Sequence, residues 1–200
     1  MRVIGGSAKG RRLRAPKGRA VRPTASRVKE SLFNILPRDF SGLTVLDLFA
    51  GSGNLSIEAL SRGAQRAILV DSSVQSTEAI KENLRRFGFG GRGEVWLAPA
   101  ARAMRSLAKR GAAFDVIFLD PPYDRGLIQA SLEIIARMDL LSASGLIVAE
   151  HSAREEIPSR FDGLILYDQR RYGDTLLSFF RQSETADNPI SRKERKGCQG

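Results

Sequence analysis

From residue 43 onward short apolar runs alternate with amphipathic stretches, and this rhythm limits the possible folds more than any single motif. The runs are residues 44–48 (TVLDL), 67–70 (AILV), 94–97 (EVWL), 114–119 (FDVIFL) and 146–149 (LIVA). Between them lie helix-patterned segments at 55–61, 73–87, 100–109 and 125–138. Strand–helix alternation of this kind predicts a parallel sheet with right-handed crossovers and helices on both faces. After Glu150 the helical pattern fades. Residues 164–168 (LILYD) and 175–180 (TLLSFF) read as a terminal antiparallel pair joined by Arg170-Arg171-Tyr172-Gly173-Asp174. The expectation is a Rossmann-like α/β fold with a mostly parallel sheet of seven strands.

Length and charge divide the chain further. Two hundred residues suit one domain with a sizeable core and a small appendage. The net charge is +10, yet residues 1–38 hold eleven Lys/Arg against the single acid Glu30. The remaining residues carry 21 basic and 21 acidic side chains, so the whole excess lies in an N-terminal arm. A basic segment on a neutral domain points to a polyanion partner, although a solvated leader has the same composition. Arg2-Val3-Ile4 and Arg11-Arg12-Leu13-Arg14 flank a Gly-rich turn and predict a small basic β-hairpin. Thr24 or Ser26 then starts a helix whose apolar positions are Val28, Leu32, Phe33, Ile35 and Leu36, ended by Pro37. The expected division is a basic extension over 1–38, a catalytic domain over 39–182 and a polar, disordered tail over 183–200.

No apolar run approaches the roughly 20 residues that span a bilayer, and the N-terminus lacks an apolar signal core. Cys198 is the only cysteine and the sequence holds no Cys/His cluster, so neither a disulfide nor a metal is expected. A cytoplasmic monomer is the corresponding expectation.

Two constellations carry chemistry. The first is Asp47-Leu48-Phe49-Ala50-Gly51-Ser52-Gly53, a strand running into a glycine turn and a helix. Glycines allow close approach of a ligand to the backbone. A dinucleotide fingerprint needs a third glycine, and here Ser56 follows instead. Asp47 before the turn would repel a pyrophosphate and attract a cation. Asp71 closes the second strand, placed for ribose hydroxyls. The inferred ligand is a cationic nucleoside without phosphates, and S-adenosylmethionine fits. Taken alone, the glycines also suit a plain strand-to-helix turn and Asp71 a helix cap. The candidate cofactor residues are Asp47, Phe49, Gly51, Gly53, Asp71, Ser72, Ala100 and Thr24.

The second constellation is Asp120-Pro121-Pro122-Tyr123 after the fourth apolar run. The prolines stiffen the turn and remove two donors, leaving carbonyls free to accept. A carboxylate, carbonyls and a ring form a receptor for a planar base with an exocyclic amine. In isolation the four residues also suit a rigid turn. His151, the only histidine, reads as a polar edge residue, and Tyr172 and Phe179 as packing.

On these residues the chain resembles class I S-adenosylmethionine-dependent methyltransferases of the amino-methylating branch, which carry a [DNS]-P-P-[YFW] tetrad after strand four. More narrowly it resembles the bacterial guanine-N2 methyltransferases of 16S small-subunit rRNA. The resemblance covers residues 1 to about 182: RVIGGSAKGRRL, RPTASRVKESLFNIL, LDLFAGSGNLSIEALSRGA, DPPY and RRYGDTLLSFFR. It implies catalysis by Asp120, Pro121, Pro122 and Tyr123 without a metal. It also implies phosphate contacts from Lys9, Arg11, Arg12 and Arg14, with Arg22, Thr24, Arg27 and Glu30 near the cofactor or base. The implied partner is rRNA in an assembling small subunit. One position departs: relatives carry Asp or Asn after strand three, where this chain has Leu97-Ala98-Pro99-Ala100. Adenine recognition is then expected to rest on backbone and apolar contacts. The tetrad alone also serves adenine-N6 methylation, and a non-catalytic RNA-binding assembly protein is the alternative of another class. A nicotinamide oxidoreductase is disfavoured by the missing glycine and by Asp47.

Overall fold

The computed structural model describes residues 1–15, 23–122 and 126–183. The arm begins with a 3-10 turn, Gly6–Ala8, and helix α1, Pro23–Ile35. The alternating body follows: β1 Thr44–Asp47, α2 Asn54–Ser61, β2 Arg66–Asp71, α3 Val74–Phe87, β3 Gly93–Leu97, α4 Ala100–Ala108, β4 Phe114–Leu119 and α5 Leu127–Arg137. Four strands close the chain: β5 Leu141–Ser152, β6 Arg160–Phe161, β7 Leu164–Tyr172 and β8 Thr175–Gln182. The sheet order is β3-β2-β1-β4-β5-β8-β7-β6. The first five run parallel, and β8, β7 and β6 pair antiparallel.

Among the described residues the sheet has eight strands, not seven. The extra one, Arg160–Phe161, is two residues long on the outer edge, too short to leave an alternating pattern. β5 is also longer than its apolar run. It reaches back to Leu141 through the polar Ser142-Ala143-Ser144, with an irregular register between Phe114 and Val116 on β4. At Gly145 a Cβ would stand 2.7 Å from the Leu141 side chain and 2.9 Å from the Phe114 carbonyl oxygen, so a larger residue there would force the strands apart.

Successive residues of the parallel strands face opposite sides, and two cores result. One side packs Val45, Leu69, Val116, Phe118 and Phe179 against α1, α2 and α3. The other packs Leu46, Ile68, Ile117, Leu119 and Phe180 against α4 and α5. This is why β1 and β2 lack polar positions between their ends.

The arm belongs to the first core. Val3, Ala8 and Leu13 are buried in it with Val28, Leu32 and Phe33 of α1. The expected hairpin is a single antiparallel bridge, Arg2 with Arg12, rather than two strands. The 3-10 turn takes up the Gly-rich stretch, and Gly6 there has φ +70 with Ser61 O only 1.8 Å from where a Cβ would sit. Among the described residues helix α1 starts at Pro23, so Thr24 and Ser26 lie inside it. Proline needs no partner for a missing N–H, which suits a first turn. Ile35 is exposed, whereas Leu36 beyond the helix end is buried. Among the described residues no helix is long and apolar enough to cross a membrane. Residues 184–200, with Cys198, lie outside the described residues.

Candidate active site

Three neighbouring strands end in carboxylates at one edge of the sheet. β1 ends in Asp47, β2 in Asp71, and Asp120 follows β4. Since β1 lies between β2 and β4, Asp47 is the middle one. Its side chain is 2% exposed and accepts a 2.9 Å hydrogen bond from Ser56 Oγ of α2. Burial pushes its pKa up to about 7; the hydrogen bonds from Ser56 and the Phe49 backbone pull it down, and the charges of Asp120 and Asp71 raise it further. The three carboxylates thus stand at the carboxyl ends of neighbouring strands.

Between β1 and α2 the chain turns through Gly51, φ +58, and Gly53, φ +77. Gly53 is buried, and a Cβ there would stand 3.1 Å from Leu69 and 3.2 Å from Ile57. The turn is pinned from three sides. Ala50 N donates to Val70 O at 2.9 Å, Gly53 N to Ala50 O at 2.7 Å, and Gly51 N to Asp71 Oδ2 at 2.8 Å. Asp71 Oδ1 accepts from Ser73 N at 2.8 Å. Asp71 thus ties the turn to the start of α3, whose cap is Ser73 through its own hydroxyl. Each Asp71 oxygen keeps one lone pair for a ligand.

The other candidates fall around this edge. Ser72 is exposed in the β2–α3 turn. Phe49 and Ala100, the first residue of α4, are partly buried against the second core. Leu97 at the end of β3 is 55% exposed, and Ala98 N donates to Asp71 O at 3.1 Å, so an apolar side chain and backbone line the edge opposite Asp71. Asp120 is exposed, Pro121 buried and Pro122 exposed. Tyr123 and Arg22 lie outside the described residues, as does the Thr24 side chain. Among the described residues no group of three or more His, Cys, Asp or Glu is set to hold a metal ion.

The arm cations divide. Lys9, Arg12 and Arg14 are exposed, as is Arg27 on α1. Arg11 is exposed but engaged: its guanidinium donates to Arg86 O and lies 4.5 Å from the Phe87 ring centroid. His151 is no edge residue. It lies within β5 at 1% exposure, with Nδ1 3.0 Å from Ser152 O and Nε2 2.8 Å from Ser178 Oγ, and burial lowers its pKa.

Sequence reasoning missed two buried polar clusters. Glu58 of α2 is fully buried, and its carboxylate accepts from Lys29 Nζ at 2.8 Å, Arg62 Nε at 3.1 Å, Ile4 N at 2.8 Å and Gly5 N at 2.7 Å. Lys29 also donates to Asn54 Oδ1 and to Arg2 O. Asn83 of α3 is the second, bonded to Arg14 and to Ser52. The available signal was a charged or amide residue inside an apolar helical stripe: Lys29 beside Val28, Leu32 and Phe33, Glu58 beside Ile57, and Asn83 beside Leu84 and Phe87.

The donor set matches a cationic nucleoside. Glycines in the left-handed region open the backbone, a crowded set of carboxylates favours a positive ligand, and Asp71 retains acceptors for hydroxyls. A pyrophosphate would meet the same carboxylates with unfavourable sign. Comparison with known proteins identifies the family. The family model described as "Conserved hypothetical protein 95" matches residues 1–181. "Putative rRNA methyltransferase YlbH" of Bacillus subtilis is 42% identical over 91% of this chain and 99% of its own. The "Ribosomal RNA small subunit methyltransferase D" of Escherichia coli is 35% identical over 80% of this chain and 78% of its own. Among solved structures, "Putative methyltransferase yhhF" from Escherichia coli has a TM-score of 0.78 at 31% identity, covering 92% of this chain and 98% of its own. The chain therefore belongs to the Conserved hypothetical protein 95 family and, with it, to the family of the ribosomal RNA small subunit methyltransferase D proteins.

Proposed function

We propose that this protein methylates the exocyclic N2 amine of a guanine in 16S rRNA, with S-adenosylmethionine as donor, while the small ribosomal subunit is assembling. The observation that carries the reading is the convergence of Asp120, Asp47 and the glycine turn on adjacent strands, in a chain of this family.

S-adenosylmethionine supplies an activated methyl group on a sulfonium. The protein's part is binding, aim and proton handling. Asp47 offers a carboxylate to a cation, Asp71 offers acceptors to hydroxyls, and the glycine turn lets the backbone approach. The guanine amine is a poor nucleophile because its lone pair is delocalised into the ring. Asp120 accepts a hydrogen bond from that amine, and the Pro121 carbonyl accepts a second, which favours a tetrahedral nitrogen with its lone pair available. Tyr123 stacks on the base. As the nitrogen gains a methyl group it gives up a proton, which Asp120 receives. Most of the acceleration then comes from positioning and from carboxylate charge near the reacting centre. The guanine must be unpaired or turned out of its helix to reach this edge. Lys9, Arg12 and Arg14 hold the RNA backbone, with Arg22 and Arg27 as further RNA contacts.

The test is incubation of the purified protein with labelled S-adenosylmethionine and either naked 16S rRNA or small subunits, followed by nucleoside mass mapping. N2-methylguanosine is the expected product, with the subunit the better substrate. N6-methyladenosine would redirect the reading to adenine, and no transfer to either RNA would overturn it. Asp120→Ala is expected to lower turnover by about 100-fold or more with S-adenosylhomocysteine binding retained; near-normal turnover would remove Asp120 from the mechanism.

A further inference from the structure

Asn83 is completely buried in the third turn of α3, yet its amide serves two segments far apart in sequence. Its Oδ1 accepts from Arg14 N at 2.8 Å. Its Nδ2 donates to Arg14 O at 2.9 Å and to Ser52 O at 3.0 Å. The amide orientation follows from this pattern. Reversed, it would set an N–H against the Arg14 N–H and an oxygen against two carbonyls. Arg14 belongs to the basic arm, and Ser52 stands between Gly51 and Gly53 in the candidate cofactor turn. A single side chain therefore joins the two.

The connection has a rigid backing. Ser73, which caps α3, donates its N–H to Asp71, and Asp71 accepts from Gly51 of the same turn. Near the other end of α3, Arg11 donates to Arg86 O and stacks on Phe87. The helix holds the cofactor edge at its start and the arm at its finish. On the neighbouring helix α2, Asn54 directly follows Gly53 and accepts from Lys29, which also donates to Arg2 O.

We propose that Asn83 is a positioning residue that fixes the basic arm against the cofactor turn, so that nucleoside cofactor and RNA bind cooperatively. The proposal rests on the reading of the arm as an RNA contact. RNA that orders Arg12 and Arg14 orders the Arg14 backbone, and through Asn83 it orders Ser52 and the turn. By linkage, cofactor in the turn favours RNA on the arm by the same factor.

The experiment titrates S-adenosylhomocysteine calorimetrically into the full-length chain, alone and saturated with 16S rRNA. For the unaltered protein, RNA is expected to tighten S-adenosylhomocysteine by about five-fold or more, the usual lower range for coupled sites. Asn83→Ala removes all three bonds. Asn83→Asp keeps the acceptor for Arg14 N and loses both donors. In each the ratio is expected to fall to one, while both ligands still bind singly. Gly6→Ala leaves Asn83 untouched but drives a Cβ into Ser61 O, so it undocks the arm from the other side. Its ratio is expected to fall as well, which keeps the test decisive if the Asn83 variants fold poorly. A merely structural Asn83 would lower melting temperature and leave the ratio unchanged. RNA binding with a ratio of one in the unaltered protein, or an unchanged ratio in the folded variants, overturns the coupling alone. Failure of the unaltered protein to bind 16S rRNA overturns the proposed function and the coupling with it.

Discussion

At the Asp47 carboxyl, burial works against ionisation, and the charges of Asp120 and Asp71 add to it; the Ser56 hydroxyl and Phe49 N–H oppose them without winning. The group therefore titrates near 7 when folded, against an ordinary value of 3.8. A raised carboxyl pKa means that the folded chain holds a proton which the unfolded chain releases. This contribution to stability is complete below pH 3.8 and fades as pH climbs through the folded value of about 7. Asp47→Asn, which keeps an acceptor for Ser56, is expected to melt above the unaltered protein at about pH 8 and beside it at about pH 4, with at most about 4 kcal/mol between them. Equal melting points at both pH values would mean that the carboxyl is not held protonated. A cationic ligand favours the ionised form, so affinity for S-adenosylmethionine is expected to rise with pH up to about 7. Asp120→Asn, by removing one repelling charge, should move that midpoint downward; calorimetry across pH reads it.

The elements repeat this pattern of polar groups deep in apolar surroundings. Helix α2 carries Glu58 at the junction of α1, the arm and its own Arg62. Removing that carboxylate leaves the buried Lys29 ammonium without its counter-charge and two part-buried backbone N–H groups without their acceptor. Glu58→Ala is accordingly expected to cost about 3–5 kcal/mol in urea denaturation, a loss far above that of an exposed ion pair; a cost below about 1 kcal/mol would mean that Lys29 reaches water instead. The body of the fold was legible because α2 to α5 and β1 to β4 follow simple periods, with ends marked by glycine, proline or serine. The arm was not. Val3, Ala8 and Leu13 are too sparse to announce a core, and their docking depends on Glu58, Ser61 and Asn83, which lie 50 to 70 residues away. β5 was shortened because Ser142-Ala143-Ser144-Gly145 carries turn composition on a strand whose pairing is set by β4 and β8. In the site, the carboxylates could be named from their places after apolar runs, but Ser56 carried no mark as the partner of Asp47, and Asn83 only that of an amide inside an apolar stripe.

For the whole molecule, charge and fold separate cleanly. The arm holds the excess charge, and the body is neutral. RNA affinity is expected to fall linearly on a log–log salt plot. Replacing Lys9, Arg12 and Arg14 together by alanine should lessen the slope by about 2 to 3, near 0.7–0.9 per phosphate contact. These are side-chain changes, and the Arg14 backbone keeps its bonds to Asn83, so S-adenosylhomocysteine affinity of the free protein is expected to stay the same. An unaltered slope would place the RNA elsewhere on the surface. The alternation that divides the strands between two cores also fixes where the chemistry faces. Asp47 shares a side with Val45, and Asp71 with Leu69, both turned toward α1, α2 and α3. Deleting one residue from β1 would leave a strand nearly as apolar as before. It would also turn the carboxylate toward α4 and α5, away from Ser56, from the glycine turn and from the arm. A protein altered in this way can retain most of its hydrophobic content and still be blind to its cofactor, because the parity of a four-residue strand decides which way the acid points.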